Sequence, residues 1–183
     1  IVRFIQDSNS PYAKLSELLD QINRGDVGTD FFDKYAAIVA LKNKKIFVTH
    51  QTRPENVAKL QRFYADNKIR ANVLSFVHDM SGAIADADLI IGRSGASTVV
   101  ELQTIGRPAI FVPLGINPDQ AANAASFAKT GGGLSQEQTK FTPRWLAATL
   151  SDLFDNPSKL AKMASKALVP NNAVTLIAIV RLV

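Results

Sequence analysis

The chain is 183 residues long, 46% hydrophobic and 20% charged, with 21 Lys+Arg against 16 Asp+Glu and a formal net charge of +5. That balance excludes a disordered chain and suits one domain with enough sequence to bury a core. The absence of Cys excludes disulfides, thiolate zinc sites and a Cys nucleophile; two His leave little for a Zn, Cu or Fe site; no apolar run reaches the roughly 18–20 residues of a membrane span.

Taken in chain order, short apolar runs alternate with longer helical patterns. Ile1-Val2-Arg3-Phe4-Ile5 predicts a strand. Residues 14–22 and 31–41 have helix-like apolar spacing and are separated by the turn signals of Arg24-Gly25-Asp26-Val27-Gly28. Ile46-Phe47-Val48-Thr49 is a second strand. Thr52-Arg53-Pro54-Glu55 predicts a helix start, with Thr52 as cap, Pro54 in the first turn and Glu55 closing a capping box. Residues 72–77 form a third strand and residues 80–85 a short helix. Leu89-Ile90-Ile91 is a fourth strand, leading through Gly92-Arg93-Ser94-Gly95-Ala96-Ser97 into a helix over 98–105, stopped by Gly106. Residues 109–112 are a fifth strand, and Asp119 is expected to cap a helix through Lys129 that Gly131-Gly132-Gly133 ends. Thr142-Pro143 and Asn156-Pro157 open two further helices, and an apolar segment runs over 174–183.

This alternation predicts βαβ units: a Rossmann-like, doubly wound parallel α/β sheet with helices on both faces, in a single domain over 1–183. The chain opens on Ile1 rather than Met, so it is expected to be one piece of a longer protein. No signal-peptide pattern is visible, which makes the cytoplasm the expected compartment. The isoelectric point near 9.6 admits anionic partners. The Lys and Arg are scattered without interleaved aromatics, so a solvated basic surface and no nucleic-acid partner are expected.

In an open parallel sheet, ligands bind beyond the carboxyl ends of the strands. Four loops fall there: residues 6–11, 76–80, 92–97 and 113–120. The loop at 92–97 has two glycines and two small hydroxyl residues before a helix N-terminus, which suits a phosphate or diphosphate held by backbone N–H groups. It is neither a Walker motif nor GxGxxG, and a turn that needs Gly for packing explains it equally well. Glu101 follows one turn later and is either a partner for a ribose diol or an acid favoured by the helix dipole. Asp119 and Gln120 either hold sugar hydroxyls or, for Asp119, cap the helix; Asn123 lies one turn on. Arg93 either contacts phosphate or braces the loop. His50 and His78 have no partnered Ser or Cys, and Asp86 and Asp88 read as turn residues.

These segments occur together in a known order: Phe76-Val77-His78-Asp79-Met80, then Gly92-Arg93-Ser94-Gly95-Ala96 through Glu101-Leu102, then Gly106-Arg107-Pro108-Ala109-Ile110, then Asp119-Gln120-Ala121-Ala122-Asn123-Ala124. As a set they resemble the C-terminal, donor-binding domain of the MurG family, the UDP-N-acetylglucosamine transferases that convert lipid I to lipid II in bacterial peptidoglycan synthesis. The resemblance implies one half of a GT-B glycosyltransferase. It implies a uracil contact at the Val77 backbone with Met80 near the base, and a diphosphate at Ala96, Ser97 and Thr98. It further implies ribose hydroxyls on Glu101 and N-acetylglucosamine hydroxyls on Asp119 and Gln120, with Asn123 in support. It implies no cofactor, no metal and no catalytic base in this chain. The base, the lipid I site and the peripheral contact with the inner face of the cell membrane would belong to an acceptor domain upstream.

Two departures stand out. The family's first loop is glycine-rich, whereas the matching Ile5-Gln6-Asp7-Ser8-Asn9-Ser10 has no glycine, and Asp7 brings negative charge towards a diphosphate. The stretch Gly115-Ile116-Asn117-Pro118 is shorter than the family's sugar-binding loop. Two other readings remain: a noncatalytic donor-binding subunit of a two-chain enzyme, and a UDP-sugar epimerase of the same architecture. The epimerase needs acid–base residues on both sides of the anomeric carbon, and no such set is visible.

Overall fold

The computed structural model describes residues 46–169; the elements expected at 1–5, 14–22, 31–41 and 174–183, and the loop at 6–11, lie outside the described residues. In order, the elements are β1 (Phe47–Gln51), α1 (Pro54–Asp66), β2 (Arg70–Leu74), α2 (Met80–Ala85), β3 (Ile90–Gly92), α3 (Ala96–Ile105), β4 (Ala109–Phe111), α4 (Pro118–Thr130), β5 (Gly133–Ser135), α5 (Pro143–Asp155) and α6 (Pro157–Ala167).

All described strand pairs are parallel. β1 pairs with β2, Phe47 opposite Arg70 and Gln51 opposite Leu74. A second ladder runs β3-β4-β5, with Ile90 opposite Ala109 and Ala109 opposite Gly133. Side chains on a strand alternate between faces, and here each face meets helices. Ile91, Ile110 and Val112 point into a cluster with Val48, Val73, Leu60, Tyr64, Leu146, Leu150 and Phe154, drawn from both ladders and from α1 and α5. Ile90, Ala109 and Phe111 point the other way, against Ile84, Leu102, Ala124 and Phe127 of α2, α3 and α4. The expected parallel α/β architecture is therefore what forms, divided among the described residues into a two-stranded and a three-stranded parallel sheet, the latter clothed on both faces.

Three local expectations are corrected. The capping box at Thr52 does not form. The Thr52 N–H donates to Leu74 O at 2.9 Å and so prolongs the β1–β2 ladder, which leaves Arg53 as N-cap with no side-chain bond. The third strand is Arg70–Leu74 rather than 72–77: Lys68 turns the chain at φ 57, and the ladder ends where β1 leaves it at Gln51. The triple glycine both ends α4 and begins a strand. Gly131 takes the left-handed helix stop at φ 82. Gly133 opens β5, where a Cβ would stand 2.4 Å from Ala109 O and 2.7 Å from the Phe127 ring. Only glycine lets β5 come this close.

Candidate donor site at the strand ends

The loops after β3 and β4 leave the carboxyl ends of neighbouring parallel strands, and the loop after β2 leaves the carboxyl end of the other ladder. The loop after β3 runs Arg93-Ser94-Gly95, and Gly95 is the N-cap of α3, extended at φ −61 and ψ 149. No side chain caps α3. The first N–H groups of a helix lack partners within it, so those of Ala96, Ser97 and Thr98 face outwards; Ala96 and Ser97 are exposed. The other described helices are closed differently. Asp79, Asn117 and Thr142 accept a backbone N–H at the starts of α2, α4 and α5. Pro54 and Pro157 remove one orphan donor from the first turns of α1 and α6. Among the described helices, α3 alone has neither device.

The glycines of this loop are not explained by packing. A Cβ at Gly92 would meet nothing within 4 Å among the described residues, and one at Gly95 only Thr98 Oγ1 at 3.9 Å. Neither glycine needs a positive φ. What the missing side chains do provide is open space above the donors of α3, which favours the anion-cradle reading over the packing turn.

Hydrogen bonds stitch this loop to its neighbour. Val112 N–H donates to Gly92 O at 2.9 Å. Arg93 Nη1 donates to Val112 O at 2.7 Å and to Gln138 Oε1 at 3.0 Å, so Arg93 braces the edge. Ser94 is fully buried; its hydroxyl donates to Gln120 O at 2.6 Å, and its carbonyl accepts from Asn123 Nδ2 at 3.1 Å.

The loop after β4 corrects another expectation. Asn117, not Asp119, caps α4: its Oδ1 accepts from Gln120 N–H at 3.0 Å, ahead of Pro118. The Asn-Pro pair was the available signal. Asp119 is thereby released from capping and stands exposed in the first turn. Gln120 Oε1 accepts from Leu114 N–H at 3.0 Å, which ties the loop to the helix start.

The predicted residues thus fall into two groups. Ala96, Ser97, Thr98, Asp119, Gln120 and Asn123 are drawn together by the β3–β4 edge and Ser94. Glu101, half-buried, follows Ser97 at i+4 on the same face of α3. Val77 is buried in the loop after β2, and Met80 opens α2, packed with Val99 of α3 against the second core cluster. No signal in the sequence singled out Ser94, since its importance lies in which distant carbonyl it reaches.

Of the two histidines, His50 stands apart from these loops and His78 lies in the loop after β2. His50 is buried on β1 with Nδ1 2.9 Å from the Tyr64 hydroxyl, and burial pushes its pKa down to about 3. It is therefore a neutral core residue. His78 is exposed and meets Phe76 edge-on, centroids 5.1 Å apart. Among the described residues there is no group of three or more His, Asp or Glu able to hold a metal, and no helix long and apolar enough to cross a membrane.

The model of the glycosyltransferase family 28 C-terminal domain matches residues 28–178. The chain belongs to that family. It is 41% identical over 150 residues to the UDP-N-acetylglucosamine–N-acetylmuramyl-(pentapeptide) pyrophosphoryl-undecaprenol N-acetylglucosamine transferase of Mesorhizobium japonicum, covering 78% of this chain and 40% of that protein. The enzyme of the same name from Methylorubrum extorquens PA1 is 46% identical over 126 residues, 67% of this chain and 34% of the relative. The crystal structure of Acinetobacter baumannii MurG superposes with a TM-score of 0.66 at 35% identity, covering 79% of this chain and 46% of that one. The glycosyltransferase VinC, solved with dTDP, shares the fold at TM-score 0.51 and 20% identity, over 65% of this chain and 29% of VinC. This family 28 domain therefore spans less than half the length of the relatives it matches.

Proposed function

We propose that this family 28 domain is the UDP-N-acetylglucosamine-holding half of a GT-B enzyme that transfers N-acetylglucosamine to lipid I, forming lipid II. The observation that carries the reading is the N-terminus of α3, which has no side-chain cap, preceded by Gly92 and Gly95 with room for a Cβ at each and tied through Ser94 to Gln120. The N–H groups of Ala96, Ser97 and Thr98 take the diphosphate, Glu101 the ribose diol, and Asp119 with the Gln120 amide the sugar hydroxyls. The Val77 backbone and Met80 flank the uracil. Asn123 acts behind them through Ser94. The name shared by the Mesorhizobium japonicum and Methylorubrum extorquens relatives, an N-acetylglucosamine transferase, supports this donor.

The acceptor hydroxyl attacks the anomeric carbon in line. The bond from that carbon to the diphosphate oxygen breaks with its electron pair, and UDP leaves. The hydroxyl proton passes to a base on an upstream acceptor domain. The role of α3 is to stabilise the charge that grows on the diphosphate, through preformed donors and the helix dipole. Lipid I and the inner face of the cell membrane are met by the acceptor domain, with the protein on the cytoplasmic side.

Calorimetric titration with UDP-N-acetylglucosamine, with UDP-glucose and ADP as controls, tests the assignment. Saturable binding is expected, weakened about tenfold by Glu101→Ala through loss of charge-assisted hydrogen bonds. Absence of binding to folded protein, or binding indifferent to Glu101→Ala, contradicts it.

A further inference from the structure

We propose that Ser94 is a positioning residue for donor transfer: it sets the distance between the diphosphate cradle of α3 and the sugar-holding first turn of α4. This rests on the donor reading above and adds to it a residue that touches no ligand.

The geometry is a clasp with two ties. The buried Ser94 hydroxyl donates to Gln120 O at 2.6 Å, and Asn123 Nδ2 donates to Ser94 O at 3.1 Å. Ser94 lies one residue before the N-cap of α3, and Gln120 lies in the first turn of α4. On the far side, Gln120 is itself fixed through its N–H to Asn117 Oδ1 and its Oε1 to Leu114 N–H. The loop over 114–117 and the start of α4 therefore form one unit, and Ser94 joins that unit to the cradle. In a sugar nucleotide the distance from the β-phosphate to the sugar hydroxyls is set by covalent geometry. A site that holds both ends needs its two halves at a fixed separation, because small misplacements of a reacting carbon are costly.

The clasp is separable from stability. Gln120 O lies within α4, where the helix supplies its own donor four residues on, so removing the Ser94 hydroxyl strands no buried acceptor. Ser94→Ala should leave the cradle intact and loosen only its register with the sugar site.

The test measures dissociation constants for UDP and UDP-N-acetylglucosamine on this chain, and kcat and KM for transfer on the longer protein that includes the acceptor domain, each with and without Ser94→Ala. The expected result is UDP affinity within about twofold of the parent, with the ratio of UDP-N-acetylglucosamine to UDP affinity lowered about fivefold to tenfold and kcat lowered by a similar factor. Asn123→Ala, which removes the second tie from a half-buried position, is expected to shift the ratio in the same direction and decides the matter if Ser94→Ala does not fold. Ser94→Thr, which keeps the hydroxyl, is expected to restore the ratio. An unchanged ratio, or an equal loss of both ligands in folded variants, overturns the positioning role. Failure of the parent chain to bind UDP at all overturns the donor reading and this inference with it.

Discussion

The starts of α3 and α5 are opposite solutions to the same problem. Each helix begins with unpartnered N–H groups. At α5 the Thr142 side chain accepts from Trp145 N–H at 3.2 Å, Pro143 removes a donor, and Phe141 is buried just before the cap. At α3 a glycine stands where the cap would be, no proline follows, and among the described residues a Cβ at that glycine would meet only Thr98 Oγ1 at 3.9 Å. The first start is closed by its own sequence. The second has no cap from its own sequence, which is the feature the proposed donor site rests on.

The sharpest way to break this contrast is to close α3 from within. Gly95 has extended dihedrals and room for a Cβ, so Gly95→Asp is sterically allowed and caps α3 with a carboxylate. Thermal unfolding should show stabilisation of about 0.5–1 kcal/mol. Titration should show UDP-N-acetylglucosamine affinity reduced about a thousandfold, because the carboxylate occupies the donors and repels the diphosphate. A change in which stability and binding move together would remove the distinction.

A residue of the core should respond to pH in stability alone. Folded His50 is held neutral, with its pKa pushed down by burial to about 3 from 6.5. As pH falls below 6.5 the unfolded chain takes up this proton before the folded one. Stability that is complete above pH 6.5 should therefore decline towards pH 3, by about 4 kcal/mol. Urea midpoints across that range check it, and His50→Phe should flatten this part of the profile. At α5 the expectation is the mirror image of Gly95→Asp: Thr142→Ala should cost about 1 kcal/mol in urea unfolding and leave donor affinity unchanged.

Much of the fold was legible because local signals agreed with it. Residues 80–85 formed a helix with the bounds expected, and the starts at Pro143 and Pro157 followed their proline signals. β5 was not legible, since Gly133 looks like a breaker until Ala109 O and Phe127 are seen against it. Thr52 looked like a cap because spacing does not reveal that its N–H is taken by Leu74 O across the ladder. For the candidate site, residue types and order pointed to Ala96, Ser97, Thr98, Glu101, Asp119 and Gln120. The clasp through Ser94 was hidden, because a buried serine is defined by a carbonyl 26 residues away.

The most direct test of the open α3 start is amide NMR during titration with UDP-N-acetylglucosamine. Saturable shifts largest at the N–H groups of Ala96, Ser97 and Thr98, with those of Trp145 and the rest of the α5 start unmoved, are predicted. Saturable binding with the α3 amides unshifted would contradict the account.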